Sequence, residues 1–330
     1  MFKSTAKPIK GYGLKNMPNN KSSGAALIAV LMVAVVMVVL MSTVSRLMDS
    51  RLQMAVLSKQ LFTGRTEVYA KMSELTYLLA TQRLTAAGIS QGTNPQGTTT
   101  DEEGHWALPI IGDELRADGE PVIEKNGLSY SIQNESGLIP VNTTSQYWLK
   151  KWLNKKGYTA AEQAHLVDSL ADYADPDDWR RPAGAEKTEY KEKIFTQPAN
   201  FLLQSCSELW RVFSWPEMLA QHPEILTQCN LTRSDTLNIN AIPIQLWVIY
   251  WPNSVEKIVS QRLQGKWLIY KKDLLATEPT LLNEIEDYYS TLGGNQFQIE
   301  VNSKKSVSRL RVERGRGLRP PFTIRMSEMR

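Results

Sequence analysis

The run Lys21-Ser22-Ser23-Gly24-Ala25-Ala26-Leu27-Ile28-Ala29-Val30-Leu31 is where this chain changes character. No charged residue lies between Lys21 and Arg46, and from Ala25 to Met41 nearly every side chain is Ala, Leu, Ile, Val or Met. As a helix, Ala25 to Ser45 rises about 30 Å at about 1.5 Å per residue, the thickness of a hydrocarbon core. Upstream stand Lys3, Lys7, Lys10, Lys15 and Lys21 with no acidic residue among them. That asymmetry predicts a single pass, with the N-terminus cytoplasmic and the C-terminal bulk exported. An ordinary signal peptide has an apolar core of roughly 7–15 residues followed by an A-x-A-like site. Here the run is longer and no such site follows, which leaves an uncleaved signal anchor or a helix retained after cleavage upstream of it.

The 330 residues are enough for two folded units, or for one large domain with attachments. The formal net charge is +4, but without the five leader lysines 33 basic residues face 34 acidic ones. The basic balance therefore belongs to the leader, not to a nucleic-acid-binding face. Two cysteines exclude a disulfide-dense scaffold and a zinc site built from four cysteines. His105, His165 and His222 fall in no metal or triad spacing and read as structural. No G-x-S-x-G, H-E-x-x-H or Walker motif occurs.

The helix is predicted to continue well past the membrane. From Arg46 to Ala87 there is no Pro and only Gly64. Leu47, Met54, Leu57, Leu61, Val68, Met72, Leu75 and Leu79 form an amphipathic stripe. A helix over 25–87 would be about 90 Å long. A Gly-rich loop follows from Gly88 to Thr98. Strand-like pieces appear at His105–Ile111, Pro121–Glu124 and Leu128–Gln133. From Asn142 to Leu231 the pattern turns helical and rich in Trp and Leu, with Trp148, Trp152, Trp179, Trp210 and Trp215 among its aromatics. Strand patterns return at Gln296–Val301, Val307–Glu313 and Phe322–Met326. The chain thus reads as α+β, with one domain inside the other. The segments are 1–24 leader, 25–87 helix (25–45 in the membrane), 88–139 first part of the head, 140–290 helical insert and 291–330 closing strands. Residues 304–330 carry nine basic and two acidic side chains, read as edge-strand charge that discourages aggregation.

Two segments resemble each other: Leu138-Ile139-Pro140-Val141-Asn142-Thr143 and Thr236-Leu237-Asn238-Ile239-Asn240-Ala241. Each Asn is expected to cap a following helix, Thr143–Leu153 and Ile244–Tyr250. The densest chemical signal is Asp172-Tyr173-Ala174-Asp175-Pro176-Asp177-Asp178-Trp179-Arg180-Arg181-Pro182-Ala183-Gly184-Ala185-Glu186. Asp172, Asp175, Asp177, Asp178 and Glu186 could supply the oxygens that Ca²⁺ takes. The composition also allows a solvated loop paired to Arg180, Arg181 and Lys187. Cys206 and Cys229 in an exported domain point to a disulfide, with two buried thiols as the other reading.

The junction at Gly24, a basic leader running into an abrupt apolar helix, resembles a type IV prepilin signal cut between Gly24 and Ala25. The whole pattern resembles the protein K family, the large minor pseudopilins of type II secretion systems. The resemblance rests on this leader and helix, on the acidic segment through Arg181-Pro182-Ala183-Gly184-Ala185-Glu186 and Tyr190, on both Asn segments and on the basic tail. Most pilins and pseudopilins carry Glu at the fifth mature position; here it is Ala29, as in protein K. Pro140, Tyr173 and Ala183 depart from the family pattern, and none of them removes a carboxylate.

The resemblance implies a pilin-like α/β head with an inserted all-α, SAM-like domain. It implies Ca²⁺ on Asp172, Asp175, Asp177, Asp178 and Glu186. Processing by prepilin peptidase and methylation of Ala25 would follow. The partners would be the other minor pseudopilins and the major pseudopilin, at an inner membrane with the head in the periplasm. The role is initiation and capping of the pseudopilus tip in export of folded proteins, with no catalysis and no nucleic acid. One rival is a DNA-binding or DNA-uptake module, from a helix-hairpin-helix-like run over Leu237–Arg262 that lacks the glycine hairpin. Another is a membrane-anchored enzyme.

Overall fold

The computed structural model describes residues 23–92, 99–100, 106–107, 109–192, 197–284, 288–304, 306–315 and 320–329. The five leader lysines and His105 lie outside these. The chain forms two compact units, Met1–Gln60 and Leu61–Arg330.

Among its described residues the first unit is all helix, the beginning of α1 (Ser23–Thr81). Its apolar side chains are exposed on every side, Leu27 at 69%, Met41 at 70% and Met54 at 66%. Apolar side chains all round a helix are expected where lipid covers them. The helix keeps its backbone groups bonded internally, which a hydrocarbon environment demands. It is long and apolar enough to cross a membrane.

In the second unit α1 ends on a buried face. Val68, Met72, Leu75 and Leu79, spaced four, three and four apart, pack into one core with Ile89, Tyr130, Ile132, Phe297, Ile299, Val301 and Val312. The amphipathic stripe is therefore split: its later members are core, while Leu47, Met54 and Leu57 in the first unit stay exposed. α1 stops at Thr81, short of the expected Ala87. Residues 82–87 have helix-forming composition, but pairing with β-structure wins over propensity. β1 (Leu84–Thr85) turns into β2 (Gly88–Ile89), and β2 pairs with β5 (Leu115–Arg116) after the short ribbon β3 (Thr99–Thr100) and β4 (Trp106–Ala107). Thr85 Oγ1 accepts the Ala87 N–H across the turn. Gly88 sits at φ +141°, and a Cβ there would lie 2.0 Å from the Leu115 carbonyl oxygen.

The main sheet is assembled from both sides of a long detour. β6 (Val122–Ile123) and β7 (Ser129–Asn134) come before it. After β8 (Ile139–Pro140), α2 (Tyr147–Lys155), α3 (Ala160–Ala174), α4 (Lys187–Glu192), α5 (Trp215–Gln221), α6 (Ile225–Gln228), β9 (Cys229–Asn230), β10 (Leu237–Asn238), α7 (Ile244–Tyr250), α8 (Val255–Leu263), α9 (Lys271–Thr277) and β11 (Tyr289–Ser290) come β12 (Gln296–Asn302), β13 (Val307–Arg314) and β14 (Phe322–Met329). The sheet order is β14-β13-β12-β7-β6 and every pairing is antiparallel. Ile132 faces Ile299 across β7 and β12. On β12, Phe297, Ile299 and Val301 are buried and the residues between them half-buried, the period of two that marks the strand.

The detour has its own core, built on the fully buried Trp148, Trp152, Trp215 and Trp247. Cys206 and Cys229 are bonded within it. Two short parallel pairs tie it together, β8 with β9 and β10 with β11. The Asn residues just beyond β8 and in the turn after β10 do not cap helices, contrary to expectation. Asn142 accepts the Leu203 N–H and donates to the carbonyls of Leu203 and Leu231. Asn240 does the same with Leu268, and also donates to the Thr291 carbonyl. Each acts as a clamp on distant backbone. α2 begins only at Tyr147, after Gln146 in the left-handed region, and α7 follows Pro243.

Candidate functional site

α3 and the loop after it bring the acidic residues together. α3 begins with a capping box, Thr159 and Glu162 bonding reciprocally. His165, Asp168 and Asp172, three and four residues apart on α3, all bond to the loop or to what lies beyond it. Asp168 Oδ2 accepts the Ala183 N–H at 3.2 Å. His165 Nδ1 lies 2.6 Å from the Ala183 carbonyl, which can only accept, so Nδ1 carries the proton. Its Nε2 meets Ser214 Oγ at 2.8 Å. These two side chains moor the loop. His165 was read from the sequence as structural and Asp168 was not singled out, although their helical spacing relative to Asp172 was readable.

Asp172 is fully buried and accepts the Arg181 N–H at both oxygens and Arg181 Nη1 at 2.7 Å. Burial pushes its pKa up, against the opposing effect of Arg181. Gly184 packs on this carboxylate so closely that a Cβ would lie 2.0 Å from Asp172 Oδ2. Asp175, just past the end of α3, pairs with the same Arg181 Nη1. Asp177 turns outward and accepts the Trp179 N–H. Asp178 is 60% exposed, bonded to Lys187 and Asn200, and the Lys187 bond lowers its pKa. Trp179 is 84% exposed.

Glu186 differs from all of these. It is 5% exposed, and neither carboxylate oxygen has a hydrogen-bond partner. Burial, then the charges of Asp172, Asp175 and Asp178, push its pKa up to about 7. Such an orphaned buried carboxylate costs free energy unless a proton or a cation meets it. Arg180 does not help, being paired with Glu189 at 2.6 Å. Among the described residues, no three His, Cys, Asp or Glu side chains stand close enough to hold a metal ion as they are; Arg181 stands between Asp172 and Asp175. By type the five side chains are oxygen donors of the kind a hard cation takes, but only Asp172 and Glu186 are buried, and Asp177 and Asp178 face solvent. The pairs of Arg181 with Asp172 and Asp175 and of Lys187 with Asp178 are those of the arginine- and lysine-compensated loop; Arg180 goes instead to Glu189, and Asp172 and Glu186 are buried, not solvated.

At the other candidate site, Gly24 is the second residue of α1, and a Cβ there would meet nothing within 4 Å. Packing does not demand glycine at this position. Ala25 and Ala29 follow on the exposed helix.

The architecture is a long apolar N-terminal helix, a sheet packed on its last turns and a helical domain inserted between two neighbouring strands. A profile of the family described as "Type II secretion system (T2SS), protein K" matches residues 126–223, which include the acidic loop and Cys206. The fold is similar to a chain in the crystal structure of the GspK–GspI–GspJ complex from the enterotoxigenic Escherichia coli type 2 secretion system. The TM-score is 0.53 at 14% identity, over 84% of this chain and 99% of that one. A search of curated proteins finds no match. The chain thus resembles protein K of type II secretion systems, and the α+β architecture expected from its sequence is the one observed.

Proposed function

We propose that this chain is a minor pseudopilin that starts and caps a type II secretion pseudopilus, acting in export of folded proteins across the outer membrane. The observation that carries this reading is the helical insert between β7 and β12, in a sheet resting on the continuation of a membrane-length helix, with the family profile reaching into that insert. α1 would anchor the chain once in the inner membrane, N-terminus cytoplasmic and head periplasmic. Prepilin peptidase would cut after Gly24, and Ala25 would become the methylated N-terminus. The similarity to the GspK–GspI–GspJ complex supports other minor pseudopilins as partners, with the major pseudopilin below them. The absence of a carboxylate at Ala29 suits a tip position, where no neighbouring amine would pair with it.

Asp172, Asp175, Asp177, Asp178 and Glu186 would hold Ca²⁺ through their carboxylate oxygens, and the ion would supply the positive charge that the loop's carboxylates need. The role is assembly, not catalysis. The DNA-binding alternative is disfavoured because Arg262, the basic residue closing its candidate motif, is buried and engaged with Asp118. Site-specific crosslinking in secreting cells tests the proposal. Adducts with other minor pseudopilins, at far below major-subunit abundance, are expected. Adducts distributed along the filament at major-subunit abundance would contradict it.

A further inference from the structure

Arg181 is bonded to two carboxylates at once. Its Nη1 reaches Asp172 Oδ1 and Asp175 Oδ2, and its own N–H adds bonds to Asp172. Asp172 is inaccessible to water, whereas the Arg181 side chain is 40% exposed. The guanidinium therefore enters from solvent and has solvent to return to. Glu186, within electrostatic reach of Asp172 and Asp175, is buried, and no side chain bonds either of its oxygens. When all three are ionised, Asp172, Asp175 and Glu186 set three negative charges against the single charge of Arg181. The neighbouring Arg180 turns away to Glu189, so adjacency in sequence alone does not explain where Arg181 points.

We infer that Arg181 is a built-in counter-cation: it closes on Asp172 and Asp175 when no divalent cation is bound and withdraws into water when one binds. This rests on the reading of the loop as a Ca²⁺ site. Arg181 occupies the inward oxygens a cation would coordinate, so the two compete for the same donors. The competition holds the loop in shape without metal and sets a threshold below which metal does not bind. A divalent ion wins at sufficient concentration because it brings two charges and takes six or more oxygens, where the guanidinium brings one charge.

The test is calorimetric titration of the full chain in detergent with CaCl₂, together with its melting temperature in EGTA. Arg181→Gln should bind Ca²⁺ at least about tenfold more tightly than wild type, the fold-change that one displaced charge-assisted bond represents. The same variant should melt at lower temperature in EGTA. Arg180→Gln removes an equal charge nearby without freeing either oxygen, and should change affinity by less than about threefold. Arg181→Lys keeps the charge but its side chain ends one atom short of where Nη1 stands, and it should also bind more tightly than wild type. If Arg181→Gln fails to fold, Arg181→Lys decides the matter. Wild type that binds Ca²⁺ while the Arg181 variants bind it equally or more weakly would overturn the inference. So would an equal gain in Arg180→Gln. If no form binds Ca²⁺ at millimolar concentration, the calcium reading itself falls, and the inference with it.

Discussion

Arg262 Nη1 lies 3.1 Å from Asp118 Oδ2, and each of the two side chains is only 1% exposed. Asp118 follows β5 in the head, and Arg262 is near the end of α8 in the insert. Arg262 also donates to the carbonyls of Ile242 and Ile239, and Arg116 reaches the same Asp118 oxygen at 2.6 Å. The bond joins two parts of one unit that have separate apolar cores.

Breaking that pair at Arg262 should be costly: Asp118 keeps Arg116 but loses its fully buried counter-charge, and the buried carbonyls of Ile242 and Ile239 lose their donor. Arg262→Met should destabilise by about 3 kcal/mol or more, seen as a lower denaturation midpoint of the full chain in detergent. Adding Asp118→Leu to it should restore part of the loss. A single variant with unchanged stability would show that the pair does not hold insert to head.

The disulfide between Cys206 and Cys229 closes a loop of 23 residues in sequence separation. In the chain-entropy account it contributes about 3 kcal/mol. Replacing both cysteines by Ala should lower the melting temperature by an amount that dithiothreitol reproduces in wild type. Reductant without effect on wild type would mean the bond is absent or contributes nothing.

The architecture was largely legible because its signals are periodic. The uncharged run after Gly24, the alternation of Gln296–Val301 and the Trp-rich stretch before Leu231 each carry their own spacing. What was not legible depended on distant partners. Thr81 ends α1 because Leu84–Thr85 pairs with Gly88–Ile89, which in turn pairs with Leu115–Arg116, contacts that residues 82–87 do not announce. Asn142 and Asn240 look like caps locally, yet they bind backbone at Leu203 and Leu268. Of the acidic loop, the residue types were readable, but not that Arg181 would turn inward while Arg180 turned to Glu189. Nor could composition show that Gly184 is the residue that lets the loop close on Asp172.

With calcium removed, Glu186 should make stability fall as pH rises. Its pKa goes from 4.5 to about 7 in the fold, so the folded state binds the proton more strongly between those values. The metal-free chain should therefore be more stable near pH 5 than near pH 7.5, with the loss complete once pH has passed the folded pKa. Glu186→Gln should flatten the profile, while Glu120→Ala should leave it. Melting in EGTA across that range checks this, and a wild-type profile that rises over the same window would refute it.

Calcium should raise the melting temperature of the wild-type chain over its value in EGTA, by linkage to the folded state. Asp175→Ala and Glu186→Ala should remove most of that shift. Coincident wild-type curves in EGTA and millimolar calcium would leave the loop as an acidic cluster compensated by Arg181 and Lys187 alone.

The central claim, a pseudopilin rather than a plain membrane-anchored domain, is tested most directly by the N-terminus of the protein purified from membranes of a secreting cell. Nothing in the packing requires glycine at position 24, so its place at the head of the apolar run fits recognition by a peptidase. Intact-mass and N-terminal peptide analysis should find a chain beginning at methylated Ala25, and Gly24→Glu should leave it unprocessed. A membrane form that still begins at Met1 in wild type would contradict the account.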